Sequence, residues 1–194
     1  MVKFIQQGIE GKILKIIRSL YEKVKCCVKY NNSISDFFNC NTGLFQGEVL
    51  SPILFSMYVN DMELHFLTEN CPSLEIQAIN IFLLMYADDT VLISETPEGL
   101  QSLLDSLYNY TKKWNLSVNT VKTKVMVFRN GNRSRVYDKW YYNGNELEVV
   151  NEFNYLGFLL NYNGKFRNSQ KRIAEQGRKA LYALKMFVRS TLLI

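Results

Sequence analysis

A chain of 194 residues with net charge +5, of which 47% are hydrophobic, 13% aromatic and 21% charged, has the composition of a folded protein able to bury one sizeable core. That composition excludes a disordered or fibrous protein, and the longest near-apolar runs are far too short to span a bilayer. Cys26, Cys27, Cys40 and Cys71 lack paired C-x-x-C spacing, and Met1 leads into a charged, periodic segment with no signal-peptide pattern, so reduced thiols and an intracellular location are expected.

In chain order, Ile5, Ile9, Ile13, Ile16, Ile17, Leu20 and Val24 fall at helical spacing, with Lys12, Lys15, Arg18 and Lys25 off the stripe, which predicts one amphipathic helix. Asn31-Asn32-Ser33 marks a turn, and an irregular stretch leads to Gly47. Ser51-Pro52 reads as a helix start with Ser51 as N-cap. The helix that follows, apolar nearly all round, is expected to run through Asp61 to about Leu67, and His65 within it is expected on a surface or in the core rather than as a ligand. The apolar runs 81–86 and 90–93 around Ala87-Asp88-Asp89 predict a hairpin. Thr96-Pro97-Glu98 opens a helix with Leu100, Leu103, Leu104, Leu107, Tyr108, Thr111 and Trp114 on one face. Residues 125–128 read as a strand, 140–142 and 147–149 as strands flanking an Asn143-Gly144 turn, and 153–160 as another strand. A basic helix from about Arg167 carries an apolar stripe through Ile173, Leu181, Leu184 and Val188.

Charge is segregated along the chain. Residues 1–30 hold seven basic and two acidic residues, residues 31–111 hold eleven acidic and no Lys or Arg, and residues 165–194 hold eight basic and one acidic. An acidic middle between basic arms fits a cation site framed by polyanion-binding surfaces, although solvated helix faces would give similar runs.

Asp88 and Asp89 are adjacent carboxylates in an apolar β setting, and burial would demand a compensating charge. With no basic residue in 31–111, a divalent cation is the natural partner, since hard Mg²⁺ prefers carboxylate oxygen. The bland competitor is an exposed turn, where aspartate is simply favoured, and taken alone the pair favours that reading.

The pair sits in an ordered set of motifs. Tyr86-Ala87-Asp88-Asp89 resembles the metal-binding hairpin of reverse transcriptases, and Gln46-Gly47-Glu48-Val49-Leu50-Ser51-Pro52-Ile53-Leu54-Phe55 resembles that family's Q-G-x-x-L-S-P-x-L-F segment. Asn119-Thr120-Val121-Lys122-Thr123 is similar to its N-x-x-K-T signature, and Phe153-Asn154-Tyr155-Leu156-Gly157 to its F-x-Y-L-G strand. Their combination is most like the polymerases of non-long-terminal-repeat (LINE-type) retrotransposons.

That resemblance implies an α+β fold, the palm of a right-hand polymerase with an antiparallel sheet packed on helices and the start of a helical thumb. Residues 1–150 would be partial fingers and palm, and 151–194 the primer-contacting strand and the first part of the thumb. It implies RNA-directed DNA polymerase chemistry: nucleotidyl transfer from a deoxynucleoside triphosphate to a primer 3′-hydroxyl on an RNA or DNA template, with Mg²⁺ or Mn²⁺ as cofactor. Asp88 and Asp89 would bind the metal ions, and Lys122 would stabilise charge or donate a proton at pyrophosphate, a role Lys124 could compete for. Phe45, Gln46 and Gly47 would line the nucleotide and template, and Tyr155, Leu156 and Gly157 would hold the primer. Lys171, Arg172, Arg178 and Lys179 would meet backbone phosphates, whose contact is sequence-independent.

Two departures qualify the likeness. The family's palm carries another aspartate ahead of the helix that here holds Gly8-Ile9, but no aspartate precedes Asp36, and Phe45 stands where the family usually has Arg or Lys. The expectation is therefore a domain truncated at both ends, inactive by itself. The rivals are a retroelement remnant that binds nucleic acid weakly without turnover, and an interaction protein in which Asp88-Asp89 is only a turn.

Overall fold

Glycine backbone geometry overrides hydrophobic periodicity at the amino terminus of the computed structural model, which describes residues 1–40, 43–129 and 139–191, with side chains of the last helix through Phe187. The single expected helix is two: α1 (Val2–Gln6) and α2 (Gly11–Tyr21), separated where Gly8 and Gly11 adopt φ of +83° and +62°. Glycine enters that region without steric cost, so the chain turns there although the apolar spacing continues. Val24 leaves the helix altogether and enters a long hairpin: β1 (Lys25–Cys26) pairs antiparallel with β4 (Phe38–Asn39), and β2 (Lys29–Tyr30) with β3 (Ser33–Ile34).

Helix α3 (Leu50–Val59) starts one residue before the expected cap. Val49 is its N-cap, and Ser51 is buried inside the first turn rather than capping it. The helix ends at Val59, and a separate α4 (Met62–Thr68) follows, so the expected continuous helix to Leu67 is broken at Asn60-Asp61. Burial on most faces is not found either: Ser51, Leu54 and Val59 are buried while Ile53 is exposed. Strands β5 (Leu74–Ile76) and β6 (Ile79–Ile81) form one hairpin, and β7 (Leu83–Tyr86) and β8 (Asp89–Leu92) form the next.

Helix α5 (Pro97–Lys113) begins as expected, with Thr96 Oγ1 accepting the Gly99 N–H at 3.0 Å. Beyond it come β9 (Lys124–Val125), β10 (Tyr141–Tyr142), β11 (Asn145–Glu146), β12 (Glu148–Val149), β13 (Glu152–Tyr155), β14 (Phe158–Asn161) and α6 (Arg167–Thr191). The Asn143-Gly144 hairpin is present, with φ of +48° and +74° at its two turn residues. Leu147 continues that hairpin, its N–H donating to Trp140 O at 2.8 Å, but β12 then leaves to pair parallel with β9, which is shorter than the strand expected over 125–128. The strand expected over 153–160 is itself a hairpin, β13 against β14, folded at Leu156-Gly157.

The described residues thus combine helices with two-stranded ladders, antiparallel except for β9 with β12. The chain divides into two compact units, 1–106 and 107–194, a partition that differs from the expected functional division at 150. In the first unit, Phe4, Ile17 and Leu54 join α1, α2 and α3 in one buried cluster. Lys3 seals its edge, donating to Tyr58 O at 2.5 Å and Asp61 Oδ1 at 2.6 Å. Elsewhere in this unit Phe66 of α4 packs near Phe82, with ring centroids 6.4 Å apart. In the second unit, Tyr142 packs edge-on to Tyr108 at 5.8 Å and shares a 2.7 Å hydrogen bond with Thr111 Oγ1, beside buried Trp140 and Leu147. None of the described helices is long and apolar enough to cross a membrane.

Candidate functional site

The acidic pair sits on the tip of the β7–β8 hairpin. Tyr86 and Asp89 face each other as the last paired residues, which leaves Ala87-Asp88 as a two-residue loop. Ala87 adopts φ +52°, a region that costs a non-glycine residue on the order of 1 kcal/mol. The pairing of 83–86 with 89–92 reverses the chain there, which puts Asp88 in the loop and Asp89 at the start of β8. Both are exposed, as in the exposed-turn alternative, so no buried charge needs a compensating partner. Among the described residues neither makes an ion pair, and no group of three or more His, Cys, Asp or Glu residues is arranged to hold a metal ion. The donors themselves suit a hard cation. Mg²⁺ keeps several waters and takes one or two carboxylates plus substrate phosphates, and carboxylate oxygens of this class are what the two aspartates offer.

Phe45, Gln46 and Gly47 precede α3 as a turn in which Gly47 has φ +86°, a conformation open to glycine. Gln46 and Gly47 are exposed, whereas Phe45 is half-buried and stacks on Tyr21, with centroids 5.2 Å apart and ring planes 27° apart. Tyr21 also donates through its hydroxyl to Glu48 Oε2 at 2.8 Å, and Ser51 Oγ lies 3.4 Å from both groups. Burial, with Glu48 nearby, outweighs the Ser51 hydrogen bond and raises the Tyr21 phenol above its ordinary value. The contact of Tyr21 with this turn is not legible in the motifs, because it arises only through folding.

In the second unit, Asn119 builds the turn that presents Lys122. Its side-chain Oδ1 accepts the Lys122 N–H at 3.1 Å, and its carbonyl accepts from Thr123 N at 3.0 Å and from Thr123 Oγ1 at 2.9 Å. Lys122 is exposed, while Lys124 is drawn into a 2.6 Å ion pair with Glu148. Of these two lysines, Lys124 is engaged by Glu148 and Lys122 makes no salt bridge among the described residues.

Tyr155 ends β13, half-buried, and Leu156-Gly157 forms the tip of the β13–β14 hairpin with φ of +49° and +82°. Positive φ at both turn residues is the type I′ arrangement that matches strand twist. Leu156 is 51% exposed there. Helix α6 is tethered to β14 by Ser169, whose buried Oγ accepts the Leu159 N–H at 3.2 Å. Lys171, Arg172, Arg178 and Lys179 are exposed, and at about 100° per residue they fall opposite Ile173, Leu181 and Leu184. The structure therefore collects Phe45, Gln46 and Gly47 around Tyr21 and carries Asp88-Asp89 on a hairpin of the same unit, whereas Lys122, Tyr155, Leu156, Gly157 and the basic helix belong to the other unit.

Residues 3–160 match the family described as reverse transcriptase (RNA-dependent DNA polymerase). The chain is 28% identical over 165 residues to an RNA-directed DNA polymerase from mobile element jockey of Drosophila funebris, covering 82% of this chain and 17% of that relative. It is 30% identical over 153 residues to a probable RNA-directed DNA polymerase from transposon BS of Drosophila melanogaster, covering 75% of this chain and 16% of the relative. A 65-residue stretch, 34% of this chain and 6% of the relative, is 46% identical to a retrovirus-related Pol polyprotein from type-1 retrotransposable element R2 of Nasonia vitripennis. The chain spans about a sixth of the length of the first two relatives.

Proposed function

The chain belongs to the reverse transcriptase (RNA-dependent DNA polymerase) family, and from that premise we propose that it is palm and early thumb of a non-long-terminal-repeat element's RNA-directed DNA polymerase. The observation that carries this reading is the family match across 3–160 together with Asp88-Asp89 at a two-residue β-turn. The reaction is nucleotidyl transfer from a deoxynucleoside triphosphate to a primer 3′-hydroxyl on an RNA template.

Asp88 and Asp89 would hold the divalent cation, Mg²⁺ or Mn²⁺, through hard carboxylate oxygens. Bound there, it supplies neutralisation of phosphate charge and a more acidic 3′-hydroxyl. The remaining work belongs to the chain's own groups. Gln46 and Gly47 line the incoming nucleotide, where the absence of a Cβ on Gly47 admits close backbone approach. The Lys122 ammonium, held on the Asn119 turn, stabilises charge or gives a proton at the departing pyrophosphate. Tyr155, Leu156 and Gly157 hold the primer terminus, and Lys171, Arg172, Arg178 and Lys179 meet backbone phosphates through a screened, sequence-independent attraction. Phe45 stands beside the nucleotide and template where the family usually has a cation, and the lost charge weakens a phosphate or template contact.

Two carboxylates at one turn make a weaker cation site than three, and no aspartate precedes Asp36, so this chain alone is expected not to extend a primer. Mn²⁺ titration monitored by electron paramagnetic resonance tests the site: binding in the wild type, lost in Asp88→Asn, supports it, and identical titrations sink it. A second reading, a remnant that binds nucleic acid without turnover, is favoured by the exposure of Asp88 and Asp89 with no third ligand beside them among the described residues. Template–primer extension with Mg²⁺ or Mn²⁺ tests the inactivity that both readings expect of this chain alone. Robust synthesis abolished by Asp88→Asn would refute inactivity and exclude the remnant.

A further inference from the structure

From the contacts on either side of Gln46-Gly47, we infer that Tyr21 is a positioning residue that sets the nucleotide-lining turn, acting through Phe45 and Glu48. The inference rests on the reading of Gln46 and Gly47 as nucleotide contacts. One side chain grips the residue before the pair and the residue after it. Its ring stacks on Phe45 at 5.2 Å, and its hydroxyl donates to Glu48 Oε2 at 2.8 Å. Ser51 Oγ, buried in the first turn of α3 and 3.4 Å from both partners, extends the grip to the helix that follows.

The anchor is itself fixed. Tyr21 ends α2 and packs against the cluster of Phe4, Ile17 and Leu54, so its ring is carried by the core of the first unit. The turn, in contrast, exposes Gln46 and Gly47, with the glycine at φ +86°. A two-residue turn with a glycine has many accessible conformations, and a ring and a hydroxyl applied at its ends remove most of them. Partial burial keeps the phenol protonated above the ordinary tyrosine range, so the donor persists at any working pH below that range. The family's usual cation before Q-G would bring charge to this place. With Phe45 there instead, the position supplies an aromatic surface for Tyr21 to hold.

The test uses the full chain loaded with an RNA template–DNA primer duplex, with a fluorescent deoxyadenosine triphosphate as the nucleotide probe in Mg²⁺. Tyr21→Leu removes stack and hydroxyl, Tyr21→Phe keeps the stack, and Glu48→Gln keeps the shape of the acceptor while removing its charge. Nucleotide affinity is expected to fall about tenfold in Tyr21→Leu and about threefold in Tyr21→Phe and Glu48→Gln, the scale of one modest interaction or less. Template–primer affinity should stay unchanged, and amide exchange over 43–48 should quicken in the same rank order. A merely structural tyrosine would lower both affinities together and show no rescue by phenylalanine, and that result overturns the inference. Unchanged nucleotide affinity in Tyr21→Leu also overturns it while leaving the assignment of Gln46 and Gly47 intact. If the wild-type complex takes up no nucleotide, that assignment itself falls, and the role of Tyr21 with it. Should Tyr21→Leu fail to fold, the two milder variants carry the comparison.

Discussion

Replacing Lys3 by methionine, and Asp61 by alanine, asks how much the buried ammonium contributes to holding α1 on the end of α3. Lys3 is 2% exposed, with Nζ 2.5 Å from Tyr58 O, 2.6 Å from Asp61 Oδ1 and 4.9 Å from the Tyr58 ring centroid. Stranding one charge of a buried pair costs about 3–5 kcal/mol. Lys3→Met does not strand Asp61, because that side chain is 35% exposed and water can solvate it. Methionine also preserves most of the aliphatic packing, so the loss reduces to the charged hydrogen bonds, about 2 kcal/mol. Asp61→Ala strands the lysine, which water cannot reach, and should cost the full amount of about 3–5 kcal/mol. Urea midpoints at constant slope, measured at pH 7, report both losses. The double variant should be more stable than Asp61→Ala alone. An Asp61→Ala loss smaller than that of Lys3→Met, or strict additivity in the double variant, would refute the reasoning.

A methyl group at Gly99 would meet Ser94 Oγ and lie 2.8 Å from Thr96 Oγ1 and 2.9 Å from Pro72 Cγ. Gly99→Ala should therefore destabilise by about 1–3 kcal/mol despite the better helix propensity of alanine, and a higher urea midpoint would contradict this. Burial holds the Tyr142 phenol above its ordinary value of 10.0, beside the 2.7 Å hydrogen bond to Thr111. Because the folded-state pKa is raised, that stability is fully present below pH 10 and is lost as pH climbs through the folded value. Thermal melts between pH 7 and 11 should show a shallower alkaline decline in Tyr142→Phe, after a loss of about 1 kcal/mol at pH 7, and identical alkaline limbs would remove the assignment.

Elements specified by neighbouring residues were legible in the sequence, and those specified by distant partners were not. Thr96-Pro97 announced α5 because cap and first-turn proline act locally, and Asn143-Gly144 announced its hairpin because both residues tolerate positive φ. The split of the first helix was missed because isoleucine spacing runs on through a backbone that Gly8 and Gly11 redirect. Leu156-Gly157 was read as strand because leucine signals burial rather than a turn. The β9–β12 pairing joins Lys124 to Glu148, and no local pattern foretells a parallel partner so far along the chain. At the candidate site the motifs themselves were readable as short strings, including the turn that carries Asp88 and Asp89. Their exposure, the diversion of Lys124 to Glu148 and the grip of Tyr21 were not, since each depends on packing between separated segments.

Two of the hairpin tips among the described residues form an internal comparison. Asn143-Gly144 and Leu156-Gly157 adopt nearly the same backbone, with leading-residue φ of +48° and +49°. Asparagine enters that conformation readily and leucine does not, so the second tip folds against its own local preference. A hairpin selected for durability alone would carry asparagine at both places. Swapping Leu156 for asparagine should therefore yield a sturdier hairpin and, under the proposed primer contact, a poorer hold on the primer.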